Sequence, residues 1–194
     1  MFISPTNRRR VQAFDRGVDA AFDRIRGVRA LDRLFYGASA LGDHGLIWLI
    51  LGALRGLQSE RDWDATVRAA VGVGAESALV NLGVKSLFRR SRPVWDGPRP
   101  HALRQPRTSS FPSGHATSAF TAAALLSDDD PLWPAYYAVA LVVAWSRVYV
   151  RIHHASDVLG GIAVGMVLGR VGRRLFPLPG ARESQPRRWG SQGA

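Results

Sequence analysis

Long apolar stretches alternate with short polar ones along most of the chain. Five segments are predominantly apolar: residues 34–57, 65–88, 114–127, 132–150 and 155–176. A helix needs about 20 residues to cross the hydrocarbon core of a bilayer, and all but the short third segment come close to or exceed that length. No strand-like alternation is present. The pattern predicts an all-α fold, a multi-pass transmembrane helical bundle of about five spans.

An amphipathic segment precedes these spans at residues 11–30. Its apolar residues recur at helical spacing, with Asp and Arg between them: Phe14, Val18, Phe22 and Ile25. Two placements fit this pattern. The helix either lies in the membrane interface with its arginines toward anionic lipid, or packs as an ordinary surface helix on a core.

The chain length of 194 residues suits one domain. We expect residues 31–178 to form it, with disordered ends at residues 1–10 and 179–194. The fifth apolar segment carries glycines at four-residue intervals, Gly161, Gly165 and Gly169. Glycines at this spacing allow membrane helices to approach closely, which favours a packed bundle.

Charge and composition narrow the possible partners. The formal net charge is +11 at pH 7, which suits nucleic acid, anionic lipid headgroups or a phosphorylated substrate. Lys85 is the single lysine and lies at the end of the second apolar segment. The absence of cysteine excludes disulfides, thiolate catalysis and cysteine-based metal sites.

The first of three polar clusters runs from Lys85 to Arg92 and Pro93, where the second apolar segment gives way to a proline-rich loop at residues 89–112. A compact ammonium group and a planar guanidinium fork together suit a tetrahedral oxyanion. The alternative is that these cations simply snorkel toward water at a membrane boundary.

The second cluster, Ser113, Gly114 and His115, opens the third apolar segment. Serine is a favourable helix N-cap, and the free N–H groups at a helix N-terminus bind phosphate well. His115 would then lie beside the anion. The alternative is ordinary helix-start chemistry with a polar residue at the interface.

The third cluster joins Ser146 and Arg147 to His153 and Asp157. A helix running through His153 would place its imidazole on the same face as Asp157, which could hold Nδ1–H and leave Nε2 free as a nucleophile. The neighbouring His154 has no carboxylate at this spacing. A metal site is the alternative, but the surrounding groups are mostly cationic, so neither metal nor other cofactor is expected.

Together these clusters resemble the motifs of the type 2 phosphatidic acid phosphatases, the lipid-phosphatase branch of the superfamily that includes vanadium haloperoxidases. That family's motifs are Lys-x6-Arg-Pro, Pro-Ser-Gly-His and Ser-Arg-x5-His-x3-Asp. All three occur here in the same order, without gap or substitution. The resemblance covers residues 85–157 directly and the last helix by inference, and it leaves out the N-terminal helix.

The resemblance implies a metal-independent membrane phosphatase that forms a phosphohistidine. His153 would attack phosphorus, Asp157 would orient it, and His115 would protonate the leaving oxygen and then activate water. The groups expected to hold the non-bridging phosphate oxygens are Lys85, Arg92, Ser113, Gly114 and Arg147.

Two other functions are weighed against a lipid phosphatase. The same cationic cradle would suit a vanadium-dependent haloperoxidase, although those relatives are usually larger and soluble. A non-enzymatic basic protein would bind nucleic acid or a membrane surface, but its basic residues should then share one face, so no nucleic-acid partner is expected. Among substrates, polyprenyl diphosphates and polyprenyl-linked sugar phosphates are favoured; phosphatidic acid and phosphatidylglycerol phosphate are possible.

Several polar residues fall outside the motifs. We interpret six arginines as headgroup or surface charges: Arg89, Arg90, Arg99, Arg104, Arg107 and Arg151. Asp43 and His44 are interpreted as polar residues of the interface, with contact to a lipid headgroup as the alternative. Glu76 and Asn81 are expected to hydrogen-bond neighbouring helices rather than react.

Overall fold

A computed structural model describes residues 4–95, 97, 99–101, 103 and 108–179. Within these residues the chain forms seven α-helices. They are α1 (Pro5–Asp23), α2 (Arg29–Gly42), α3 (Leu46–Gly56), α4 (Glu60–Ala78), α5 (Gly114–Leu126), α6 (Trp133–Tyr149) and α7 (Ala155–Leu175). The all-helical prediction is therefore confirmed, and the helices follow the predicted apolar segments closely. The predicted tail at 179–194 lies outside the described residues beyond position 179.

Three continuous helical stretches of the described chain are long and apolar enough to cross a membrane: Arg29–Gly56, Glu60–Leu87 and Ala155–Leu175. The short third segment, α5, is the centre of the bundle and packs against α4, α6 and α7. Its small side chains explain this position, because Ala116, Ala119 and Ala122 are fully buried and admit helices on several sides.

The contact between α5 and α7 depends on the glycine series. A Cβ atom at Gly161 would lie 2.6 Å from the Ser113 carbonyl oxygen, and one at Gly165 would lie 2.5 Å from the Thr117 carbonyl oxygen. No side chain fits at these distances. The predicted close backbone approach is thus confirmed, and it fixes the start of α5 against the start of α7.

Two of the apolar segments are interrupted. A 3-10 turn at Asp43–Gly45 separates α2 from α3, and His44 and Gly45 have φ angles of 54° and 71°. Further along, α4 continues through a π-helical turn at Leu79–Gly83 and a 3-10 turn at Val84–Leu87. Each break contains a polar residue: Asp43 lies in the first and Lys85 in the second.

The N-terminal helix begins at Pro5, so residues 5–10 are helical and not disordered as predicted. Ser4 caps the helix by accepting a hydrogen bond from the Asn7 N–H. The side chains of Val18 and Phe22 pack against the core, and α1 contacts α6 and α7. The apolar face of α1 therefore covers the bundle. Its placement in the membrane interface stays a prediction.

Candidate active site

The three polar clusters lie at the same end of the bundle. Lys85 ends the continuation of α4, Ser113 caps the start of α5, Arg147 lies in the last turn of α6, and Asp157 lies in the first turn of α7. Successive antiparallel helices bring an end and a start together, so residues far apart in sequence meet here.

The turn between α6 and α7 explains the spacing of the third motif. The carbonyl oxygen of Arg147 accepts hydrogen bonds from the N–H groups of Ile152 and His153, both at 3.0 Å. Arg151 reverses the chain in the left-handed region, with φ 54°. The five intervening residues therefore fold the chain back and return His153 to the level of Arg147.

His153 precedes α7, because His154 is the N-cap residue of that helix. The helix that would have placed His153 and Asp157 on one face therefore does not include His153, yet the two side chains still face each other. Asp157 occupies the third position of α7, and its Oδ2 accepts a hydrogen bond from the His154 N–H at 2.8 Å. This capping geometry turns the carboxylate back toward the preceding imidazole.

The imidazole and carboxylate face each other at 3.6 Å, from His153 Nδ1 to Asp157 Oδ2. That separation exceeds an ordinary hydrogen bond, so the contact is electrostatic in this state. The same Oδ2 also accepts from the Ser110 hydroxyl at 2.5 Å. Asp157 is fully buried, which makes these donors necessary for its charge.

The other ring nitrogen of His153 contacts Arg92. Arg92 Nη1 lies 3.0 Å from His153 Nε2 and also donates to the Ile152 carbonyl at 3.1 Å. A guanidinium can only donate, so Nε2 carries the lone pair and the proton lies on Nδ1, toward Asp157. This is the tautomer that a nucleophilic Nε2 requires.

Electrostatics keep His153 neutral. Burial lowers its pKa to about 3; the Arg92 and Arg147 guanidinium groups act in the same direction, and Asp157 acts against them. An unprotonated imidazole at neutral pH has an available lone pair.

Arg147 and Lys85 place buried positive charge in the site. Arg147 is 1% exposed and donates from Nη1 to the Ser39 hydroxyl. Among the described residues, its Nε and Nη2 have no hydrogen-bond partner. Two buried donors without acceptors suit an anion that enters from outside the protein.

The ammonium group of Lys85 lies at the start of α5. Its Nζ donates to Asn81 Oδ1 at 2.8 Å, and a Cβ atom at Gly114 would lie 3.2 Å from it. Gly114 therefore leaves room beside the helix N-terminus, where N–H groups point outward. The N–H of Ser113 donates to the Asp157 carbonyl at 3.0 Å, which joins the second motif to the third.

The second imidazole, that of His115, pairs with Asp43, which was interpreted above as a polar residue of the interface. His115 Nε2 lies 3.0 Å from Asp43 Oδ1, and the α2–α3 turn brings the carboxylate there. A Cβ atom at Gly42 would lie 2.8 Å from His115 Cδ2, so this glycine makes room for the ring. The signal in the sequence that could have identified Asp43 is the polar break inside an apolar segment.

Three arginines interpreted as surface charges have defined partners instead. Arg90 bridges Asp15 and Asp157, at 2.5 and 2.7 Å. Arg99 donates to the Val150 carbonyl, and Arg151 pairs with Asp23 and stacks on Trp95. These contacts hold the proline-rich loop and α1 against the α6–α7 turn. Arg104 and Arg107 lie outside the described residues.

An open groove of about 610 Å³ adjoins the site. Its walls combine cationic side chains with hydroxyl groups. The lining residues are Lys85, Ser86, Phe88, Arg89, Arg90, Ser91, Arg92, Thr108 and Ser109. Such a groove suits a phosphorylated headgroup that reaches the site from one side.

Buried cations, a helix N-terminus and two imidazoles that face carboxylates lie together at one end of an apolar helical bundle, an arrangement that suits the binding of a phosphate group. The chain belongs to the PAP2 superfamily, because the sequence model of that family matches residues 65–179.

Individual relatives agree with this assignment. Over 136 residues the chain is 37% identical to the decaprenylphosphoryl-5-phosphoribose phosphatase of Mycobacterium tuberculosis, covering 70% of this chain and 75% of that one. It is 38% identical over 63 residues to the undecaprenyl-diphosphatase of Sulfolobus acidocaldarius, covering 31% of each. The fold is similar to that of the transmembrane PAP2-type phosphatidylglycerolphosphate phosphatase of Bacillus subtilis, with a TM-score of 0.65, 26% identity, and coverage of 91% and 88%.

The protein is thus a multi-pass membrane hydrolase of the lipid phosphatase class. The predicted family, reaction class and membrane location are confirmed by these similarities. They support a phosphatase over the haloperoxidase and the nucleic-acid-binding alternatives.

Proposed function

We propose that this enzyme removes a phosphate group from a polyprenyl-linked phosphate or diphosphate, through a phosphohistidine on His153. The observation that carries the proposal is the position of His153, whose Nε2 lies 3.0 Å from Arg92 Nη1, with the Arg147 guanidinium near enough to help lower the pKa of this imidazole. The named activities of two similar proteins, on decaprenyl- and undecaprenyl-linked phosphates, support a polyprenyl substrate.

In the first step, Nε2 of His153 attacks phosphorus and the bond from phosphorus to the leaving oxygen breaks. Arg92 moves its donors from Nε2 to a phosphate oxygen as the nucleophile engages. Positive charge then develops on the imidazole, and the nearby Asp157 carboxylate stabilises it. A phosphorus–nitrogen bond to His153 thus forms as one phosphate ester or anhydride bond breaks.

His115 supplies a proton to the leaving oxygen and later takes one from the water that attacks the phosphohistidine. Asp43, 3.0 Å from its Nε2, orients the ring and balances the positive charge of its protonated form. The second step releases inorganic phosphate and restores neutral His153.

Charge on the transferring group is spread over its non-bridging oxygens. Arg147 offers two unpartnered donors, and Lys85 an ammonium group beside Gly114. The Ser113 hydroxyl and the Gly114 N–H complete the cradle. Preorganised donors of this kind cost no rearrangement during the reaction, which is why they accelerate it.

Release of inorganic phosphate from a panel of lipids in mixed micelles tests the substrate assignment. The panel comprises a polyprenyl diphosphate, a polyprenyl-linked sugar phosphate, phosphatidic acid, phosphatidylglycerol phosphate and a short soluble phosphoester. We expect kcat/KM to be at least about tenfold higher for a polyprenyl lipid, since a tail that packs on the bundle adds binding energy. Equal kcat/KM on the soluble ester would contradict the lipid assignment, and a preference for a glycerolipid would contradict the polyprenyl one.

A further inference from the structure

Asp157 is connected to the N-terminal helix through one guanidinium group. Its Oδ1 accepts a hydrogen bond from Arg90 Nη1 at 2.7 Å, and Arg90 Nη2 donates to Asp15 Oδ2 at 2.5 Å. Asp15 belongs to α1, outside the residues matched by the family description. A carboxylate on the first helix thus reaches the catalytic pair through a single intermediate residue.

Ser156 closes this connection into a ring. Its N–H donates to Asp15 Oδ1 at 2.8 Å and its hydroxyl to Asp15 Oδ2 at 3.0 Å. Arg90 Nη1 also lies 2.8 Å from the Ser156 hydroxyl. Ser156 directly precedes Asp157. Asp15 of α1 therefore binds the first turn of α7 through both the backbone and the side chain of Ser156.

The burial of Asp15 indicates that this contact is specific. Asp15 is 6% exposed, although most of α1 faces outward. It shares a face with Val18 and Phe22, which pack against the core. A buried carboxylate destabilises a protein unless it is paired and hydrogen-bonded, so an aspartate in an apolar stripe needs a partner such as Arg90.

Arginine is the residue that can make both contacts at once. Its planar fork presents Nη1 and Nη2 in fixed geometry, whereas a lysine offers one compact ammonium group. With Oδ1 of Asp157 held by Arg90, the carboxylate cannot rotate, and Oδ2 stays directed toward His153.

From these contacts we propose that α1 is a positioning element of the active site. Asp15 holds Arg90, and Arg90 fixes the carboxylate of Asp157 behind the nucleophilic imidazole. The inference rests on the proposed function, because it assigns a positioning role relative to His153 as the nucleophile. Both terminal nitrogens of Arg90 already donate to carboxylates, so Arg90 and Asp15 act through Asp157 and not by holding the phosphate group.

The test compares purified full-length variants for kcat, KM and thermal unfolding in detergent, on the best lipid substrate of the panel. Asp15→Asn and Arg90→Gln should each lower kcat on the order of tenfold and leave KM within about twofold, because misplacement by a fraction of an ångström slows chemistry more than binding. The double variant should lose no more than Arg90→Gln alone. Arg90→Lys, which keeps the charge, should fold normally and still lose most of the kcat that Arg90→Gln loses.

Matched controls lie on the same helix as Asp15. Asp19→Asn removes an acid whose partner is Arg26, and Arg16→Gln removes the exposed arginine next to Asp15. Both should keep kcat within about twofold of the unmodified enzyme, since neither side chain bonds to Arg90 or Asp157.

Four results would overturn the inference. The first is an unchanged kcat in Arg90→Lys and Asp15→Asn, and the second is a defect confined to KM. The third is a pair of independent losses that multiply in the double variant. The fourth is a lower unfolding temperature with unchanged turnover per folded molecule. Failure of the proposed function appears differently, as an unmodified enzyme that releases no phosphate or a His153→Ala variant that still does.

Discussion

His115 Nε2 and Asp43 Oδ1 lie 3.0 Å apart, although the two residues belong to different apolar segments. The pairing depends on the turn at Asp43–Gly45, where the chain leaves the helical conformation between α2 and α3. Asp43, in the turn between α2 and α3, is therefore the partner of the proposed proton donor His115.

The pair predicts a leaving-group effect. Asp43→Asn should lower kcat about tenfold on an alkyl phosphate, because His115 loses the carboxylate that orients it. An aryl phosphate with a good leaving group needs less proton donation, so the same variant should lose only about twofold there. Steady-state kinetics on the two substrates measure the difference.

His44→Asn is the matched control for this pair, since asparagine tolerates the positive φ of that position. It should keep near-normal rates on both substrates. An equal loss on alkyl and aryl substrates in Asp43→Asn would argue against a role in proton transfer.

The two adjacent histidines should behave oppositely. His153→Ala should abolish turnover without unfolding the bundle, because it removes only the proposed nucleophile. His154→Ala should keep most activity, since the backbone N–H and carbonyl that bond to Asp157 are retained in the variant. Phosphate release and a melting curve for each variant check this. Reversed behaviour would mean that the wrong imidazole has been assigned.

Among the residues proposed to bind phosphate, Arg147 should be the most sensitive to substitution. Arg147→Gln removes the charge and two unpartnered donors, and it should lower kcat/KM about a hundredfold, roughly 3 kcal/mol of transition-state stabilisation. The exposed Arg16 of α1, outside the groove, provides the comparison, and Arg16→Gln should change kcat/KM by less than about threefold. Similar losses in both would indicate general attraction of anions.

The α5–α7 contact predicts a stability effect. Gly165→Ala places a methyl group 2.5 Å from the Thr117 carbonyl oxygen, so the free energy of unfolding should fall by about 1–3 kcal/mol. Gly74→Ala meets no atom within 4 Å and should be neutral or slightly stabilising. Thermal unfolding in detergent compares them, and equal unfolding temperatures would contradict the close packing.

Local sequence patterns predicted the helices well, and the residues of the three motifs lie at the same end of the bundle. Apolar length gave the spans, and the glycine series gave the α5–α7 contact, because both depend on residues close together in the chain. The route by which His153 meets Asp157 was not predictable. Asp157 is the third residue of α7 and bends back toward a residue ahead of the helix, and capping geometry of this kind depends on the turn after Arg147.

Contacts between distant segments were missed for a related reason. Asp43 and Arg90 carry charges that a local reading assigns to the surface, since their partners lie far along the chain. Asp15 did have a local signal, because it interrupts an apolar face. Only the three-dimensional arrangement shows that Arg90 joins this aspartate to Asp157.

The proposed mechanism requires that the imidazole of His153 becomes phosphorylated during turnover. Rapid quenching of the enzyme with a radiolabelled polyprenyl phosphate substrate, followed by peptide mapping, measures this directly. We predict an acid-labile, alkali-stable label on His153 that forms and decays at rates compatible with kcat, persists in His154→Ala and is absent in His153→Ala. Label on another residue, or turnover with no label at any quench time while His153→Ala remains active, would contradict it.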